Sequence, residues 1–131
     1  MNTRQAAQRW ADTWTTAWPT QDTEALCALQ ATDGDHYASP FRRYQGRSGL
    51  RTYLTECFND EVAPTTAWFG TPRIDEDNAT VEYWVHLTTA AGPLTISGCT
   101  NLTFDTHGLV TCARDYSHAT EGHLERPANL T

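Results

Sequence analysis

The chain has 131 residues, enough for one domain that buries about two-thirds of its unfolded surface. Nine basic against sixteen acidic residues leave a net charge of −7, which argues against nucleic acid and anionic membranes as partners. The opening MNTRQAAQRW is too polar for a signal peptide, and no apolar run approaches a membrane span, so a cytoplasmic protein is expected. Cys27, Cys57, Cys99 and Cys112 lack CxxC spacing, which speaks against structural zinc and for reduced apolar fillers.

Residues 3 to 18 read as an amphipathic helix, capped by Asn2 and ended by Pro19. Trp10, Trp14 and Trp18 recur every four residues with Ala7 and Ala11 beside them, a stripe suited either to core packing or to roofing a cavity. Asp22 caps a second helix through Leu29. Asp33-Gly34 signals a turn, and His36 to Ser39 is a short strand ended by Pro40. Asp33, Asp35 and His36 lack the further ligands of an EF-hand or an HxxxH pair, so they read as solvated turn residues, with no metal site. A third helix opens at Gly46 and carries Leu50, Tyr53, Leu54, Cys57 and Phe58 at helical spacing up to Pro64. One strand spans Thr65 to Ile74, with Trp68 and Phe69 inside it and Pro72 near its end.

Three antiparallel strands follow, ATVEYWVHLTT, PLTISGCTNLTF and LVTCARDYSH. Asp105 to Leu109 suits a three-residue hairpin loop with Gly108 in the left-handed position. This sets Asn101 opposite Ala113 and Cys99 opposite Asp115. Pairing Ala90 with Pro93 sets Asn101 beside Glu82, Cys99 beside Trp84 and Ser97 beside His86. Strict alternation then gives one face with Glu82, Trp84, His86, Cys99, Asn101 and Asp115, and another with Val81, Tyr83, Val85, Leu87, Arg114 and Tyr116. Hydrophobicity alone leaves open which face lines the interior. The domain is set at residues 1–118, with 119–131 as a loose tail.

The element order, with Ser39-Pro40-Phe41-Arg42, Gly46 opening a helix, Val81-Glu82-Tyr83-Trp84 and Gly108-Leu109-Val110 leading to Arg114-Asp115-Tyr116, resembles the nuclear transport factor 2-like superfamily. Its SnoaL-like and limonene epoxide hydrolase-like branch is the most similar. The resemblance implies an α+β cone: a strongly curved mixed sheet packed by three N-terminal helices around an apolar cavity. It implies that Asp115, the Asp of the last-strand RDY, points inward as a catalytic base. With it come Trp84, Glu82, Asn101 and Cys99 as ligand-binding residues, and Trp14, Tyr37, Phe41, Tyr53 and Trp68 complete the expected lining. The opposite, apolar face becomes the interface of a homodimer. The Arg-x-Asp pair of the epoxide hydrolases is absent, since Glu82 and Trp84 stand there, so epoxide hydrolysis is disfavoured.

A carboxyl in an apolar cone is raised in pKa and becomes a base useful near neutrality. Asp115 as base, with His86 or Tyr53 as donor to an enolate oxygen, makes a cofactor-free isomerase, cyclase or lyase acting on a hydrophobic small molecule. The alternative is a non-catalytic pocket or interaction module of the same fold.

Overall fold

A computed structural model describes residues 1–131. Helix α1 (Thr3–Thr20) begins with a capping box: Asn2 Oδ1 accepts from the Gln5 amide at 2.8 Å, and the Asn2 amide donates to Gln5 Oε1 at 3.0 Å. Pro19 sits within the last turn, and the helix stops at Gln21, whose φ of 53° is left-handed. Asp22 caps α2 (Thr23–Cys27), accepting from the Ala25 amide at 3.1 Å.

Strand β1 (Gln30–Ser39) runs straight through the expected Asp33-Gly34 turn. The chain slips in register against its neighbour between Gln30 and Asp35 instead. Gly34 permits this, because a side chain there would strike the Val110 carbonyl. A hairpin at Pro40–Phe41 leads into β2 (Arg42–Gln45), and Gly46, at φ 71°, opens α3 (Gly46–Asp60). The strand expected over residues 65–74 is broken at Gly70–Pro72 into β3 (Thr66–Phe69) and β4 (Arg73–Asp75). Strands β5 (Asn78–Thr89), β6 (Gly92–Phe104) and β7 (Val110–Glu121) complete the chain, so the last strand extends past His118. No helix is long and apolar enough to cross a membrane.

The seven strands form one curved, unclosed sheet ordered β2-β1-β7-β6-β5-β3, with β4 also on β5. All pairs are antiparallel except β1 with β7. The helices pack on one face of it, giving the α+β architecture that the sequence predicts.

Two local departures decide which side chains lie beneath the helices. Thr89 pairs with Gly92, so the β5–β6 loop is Ala90-Ala91, one residue earlier than expected, and the register moves by two. Glu82 then faces Cys99, and alternation is preserved. The β6–β7 loop forms as predicted, with the Asp105 amide donating to Leu109 O at 2.9 Å and Gly108 at φ 77°. Beyond Phe104↔Val110, however, Thr103 pairs with Cys112, leaving Thr111 as a bulge that reverses the alternation of β7.

The face under the helices is the apolar one. Val81, Tyr83, Val85 and Leu87 are each at most 5% exposed, and burying each such side chain contributes about 1.5–3 kcal/mol. Glu82, Trp84, His86, Cys99 and Asn101 therefore occupy the outer face, a correction to the expected assignment. The apolar surface offered above to a homodimer is core and is not available to a partner. Cys99 and Cys112 share the outer face, not opposite ones, and all four cysteines are free.

Candidate functional site

The bulge at Thr111 carries Asp115 to the inner face, opposite Thr100 and beside the Val81–Tyr83 row. There it borders a cavity of about 50 Å³, partly open to solvent, between α1, α3 and the sheet, room for a few waters. Trp10, Trp14 and Trp18 form one wall, with successive indole centroids 5.7 and 5.6 Å apart. Phe69 stands edge-on to Trp10 at 5.5 Å and stacks on Tyr83 at 5.4 Å. The tryptophan stripe is therefore both core and roof. Glu61 fixes its outer end, accepting from Trp18 Nε1 at 3.1 Å and from the Thr65 hydroxyl at 2.6 Å.

The Tyr83 hydroxyl donates to Asp115 Oδ1 at 2.6 Å, and Thr100 Oγ1 stands 3.4 Å from the same oxygen. Burial pushes the Asp115 carboxyl above its usual range, while hydrogen bonds from Tyr83, Ser117 and Thr100 pull it back. Burial, and then the neighbouring carboxylate, push the Tyr83 phenol up, so it stays a donor. Across the cavity, Tyr53 of α3 packs on the His36 ring at a centroid distance of 4.7 Å. His36 is buried, its pKa lowered by burial to about 4, and its Nε2 has no hydrogen-bond partner. It is not the solvated turn residue that the sequence suggests.

Of the residues expected at the site, Asp115, Trp14 and Tyr53 line the cavity. The others lie elsewhere. Glu82 pairs with Arg73 at 2.7 Å on the outer face, and Asn101 Oδ1 accepts from Thr80 at 2.9 Å. Trp84 Nε1 donates to the Leu124 carbonyl at 2.9 Å, and His86 Nε2 meets the same oxygen at 2.6 Å. His86 thus faces away from Asp115, on the other side of the sheet. Cys99 pairs with Tyr116 on that outer side too. Trp68 lies under the Arg126 guanidinium at 4.1 Å, and Tyr37 under that of Arg114 at 4.2 Å. Phe41, 95% exposed, caps the β1–β2 hairpin. Tyr83, Thr100 and Ser117 are brought to Asp115, and His36 borders the same cavity. Tyr83 and Thr100 were concealed by the uniform alternation assumed for β7, His36 by the turn signal of Asp33-Gly34.

The SnoaL-like domain model matches residues 7–113, which include all of this site except Asp115. The chain belongs to the SnoaL-like domain family. A comparison with curated proteins gave no match. Among solved structures, this SnoaL-like chain is similar to a putative scytalone dehydratase of Novosphingobium aromaticivorans, at 16% identity and TM-score 0.77 over 97% of this chain and 93% of that one. It is also similar to an LEH-like epoxide hydrolase of M. tuberculosis, at 17% identity and TM-score 0.69 over 88% and 82%. A protein of Catenulispora acidiphila with a ketosteroid isomerase-like fold, solved with trimethylamine, matches at 18% and 0.69 over 80% and 82%. At these identities the likeness is one of fold, that of the nuclear transport factor 2-like superfamily.

Proposed function

We propose that this SnoaL-like protein binds a small apolar molecule against the tryptophan wall and that Asp115 exchanges a proton with it, in cofactor-free isomerase, cyclase or lyase chemistry. The observation that carries this reading is the 2.6 Å contact between Tyr83 and Asp115 inside a mainly apolar cavity. Desolvation strengthens the carboxylate as a base, and Tyr83 orients the oxygen it bonds. Similarity in fold to a dehydratase and an epoxide hydrolase supports small-molecule chemistry of this general kind.

Solvent-deuterium incorporation into 2-cyclohexenone tests the base directly. The native chain should accelerate exchange of the α-hydrogens, and Asp115→Asn should abolish the acceleration while leaving the circular dichroism spectrum unchanged. Equal exchange by both proteins removes Asp115 as the base.

A second reading is a pocket that binds without catalysis. Aromatic walls around a single carboxylate suit a small alkylammonium ion, and the Catenulispora protein of this fold was solved with trimethylamine. Saturable binding of trimethylammonium, lost in Asp115→Asn, favours this reading over proton transfer.

A further inference from the structure

We infer that the cavity grips its ligand at two polar ends, with His36 Nε2 as a second anchor across from Asp115. The ligand is then a single-ring or similarly short molecule with hydroxyl or carbonyl oxygens at opposite ends. This rests on the cavity being the ligand site.

His36 is 6% exposed, borders the cavity, and leaves Nε2 without any partner in the protein. Buried polar nitrogens in folded proteins are almost always bonded, so an orphan facing a cavity marks where a ligand atom belongs. Tyr53 covers a face of the ring, so the unpartnered nitrogen sits at the ring edge of a residue that lines the cavity. Asp115 is the only carboxylate on the lining, and His36 forms no ion pair with it. The histidine pairs with Ala113 across the parallel β1–β7 ladder, and Asp115 lies two residues further on the same face. Two residues of rise and one strand spacing put the two Cα atoms roughly 8 Å apart. Both side chains rise from that face towards the helices and border the same cavity. A hydroxyl suits the His36 end in either tautomer of the imidazole, because it both donates and accepts. Phe69 and Leu54 on the lining offer only apolar contact.

Hydroquinone and p-cresol test this, since they differ only by a hydroxyl in place of a methyl. Titrations followed by NMR should show the native chain binding hydroquinone roughly tenfold tighter than p-cresol, one charge-free hydrogen bond's worth of affinity. The His36 Nε2 resonance should move with hydroquinone and not with p-cresol. In His36→Phe the preference should reverse, because the methyl then meets an apolar end. If that variant fails to fold, the nitrogen resonance of the native chain decides alone. Binding of both probes with equal affinity and an unmoved His36 nitrogen overturns the second anchor while leaving the cavity as the ligand site. Failure of either probe to perturb any cavity resonance overturns both.

Discussion

The Tyr83 hydroxyl reaches Asp115 across an intervening strand, from β5 over β6 to β7, and closes to 2.6 Å. The β6 residue paired with Tyr83 is Gly98, which raises no side chain between them. Tyr83→Phe keeps the ring, its stacking on Phe69 and the apolar contact, and removes only the donor. Loss of that hydrogen bond should push the Asp115 carboxyl still higher. The rising, acid-side limb of a pH–rate profile, and the titration of the Asp115 carboxyl carbon shift, should therefore come at higher pH than in the native chain. A hydrogen bond to a charged group is worth about 1.5–3 kcal/mol, so the midpoint should move up by roughly one to two pH units at 1.36 kcal/mol each. A profile that stays in place would mean the phenol does not hold the carboxylate.

Asp115 also carries a stability signature. The folded chain binds the Asp115 proton more tightly than the unfolded chain, because burial raises its pKa above 3.8. Its ionisation thus costs stability as pH rises from that value through the folded pKa, and the cost stays in full above it. Asp115→Asn removes the charge and keeps an oxygen to accept from Tyr83. The variant should be no less stable than the native chain at pH 7, with any advantage gone below pH 4. Thermal melts at the two pH values check this, and a variant much less stable at pH 7 would contradict it.

What the sequence discloses is what is local. Asn2, Asp22 and Gly46 mark their helices, and Asp105 to Leu109 specifies its hairpin, because caps and turns are set by neighbouring atoms. The facing of the sheet is not local. A bulge at Thr111-Cys112 carries no glycine or proline to announce it, and the Ala90-Ala91 turn competes with an equally plausible one at Ala91-Gly92. Asp115 reaches the cavity although its expected companions Trp84 and Asn101 do not. The polar face was assigned inward, β5 and β6 took the opposite orientation, and the bulge turned β7 alone. Tyr83 and Tyr116, expected on one face, end on opposite faces for the same reason.

His36 should govern stability in mild acid. The unfolded imidazole takes a proton near pH 6.5, whereas the folded one resists until about pH 4. Stability contributed by the neutral ring is therefore complete above pH 6.5 and drains away as pH falls to about 4. The full loss is about 3 kcal/mol on the scale of 1.36 kcal/mol per pKa unit. Asp115 works the other way over the low end of this window, so the comparison must be between native chain and His36→Phe. Urea unfolding at pH 7 and pH 4.5 should show a gap between the two proteins that shifts in favour of the variant at the lower pH. A gap independent of pH would show that His36 protonates freely in the fold.

The last ten residues form a strap over the outer face, where only a loose tail was expected. The Leu124 amide donates to Thr95 Oγ1 at 2.8 Å, and the Leu124 carbonyl accepts from Trp84 and contacts His86. His123 stacks on His86 with centroids 4.9 Å apart, and Arg126 lies over Trp68. Trp68 and Trp84 are direct partners across β3 and β5, so removing residues 123–131 would bare two adjacent indoles. Four lost hydrogen bonds, that between His123 Nε2 and the Leu87 carbonyl included, at about 1 kcal/mol each point to a destabilisation of about 4 kcal/mol, read as a clear fall in melting temperature. Tryptophan emission should shift to the red, and the shortened chain should self-associate through the newly exposed patch in size-exclusion chromatography. An unchanged melting temperature and emission maximum would mean that the strap contributes nothing to the fold. The cavity lies on the other side of the sheet, so p-cresol and hydroquinone should bind the shortened chain as they bind the native one, which separates damage to the outer face from damage to the site.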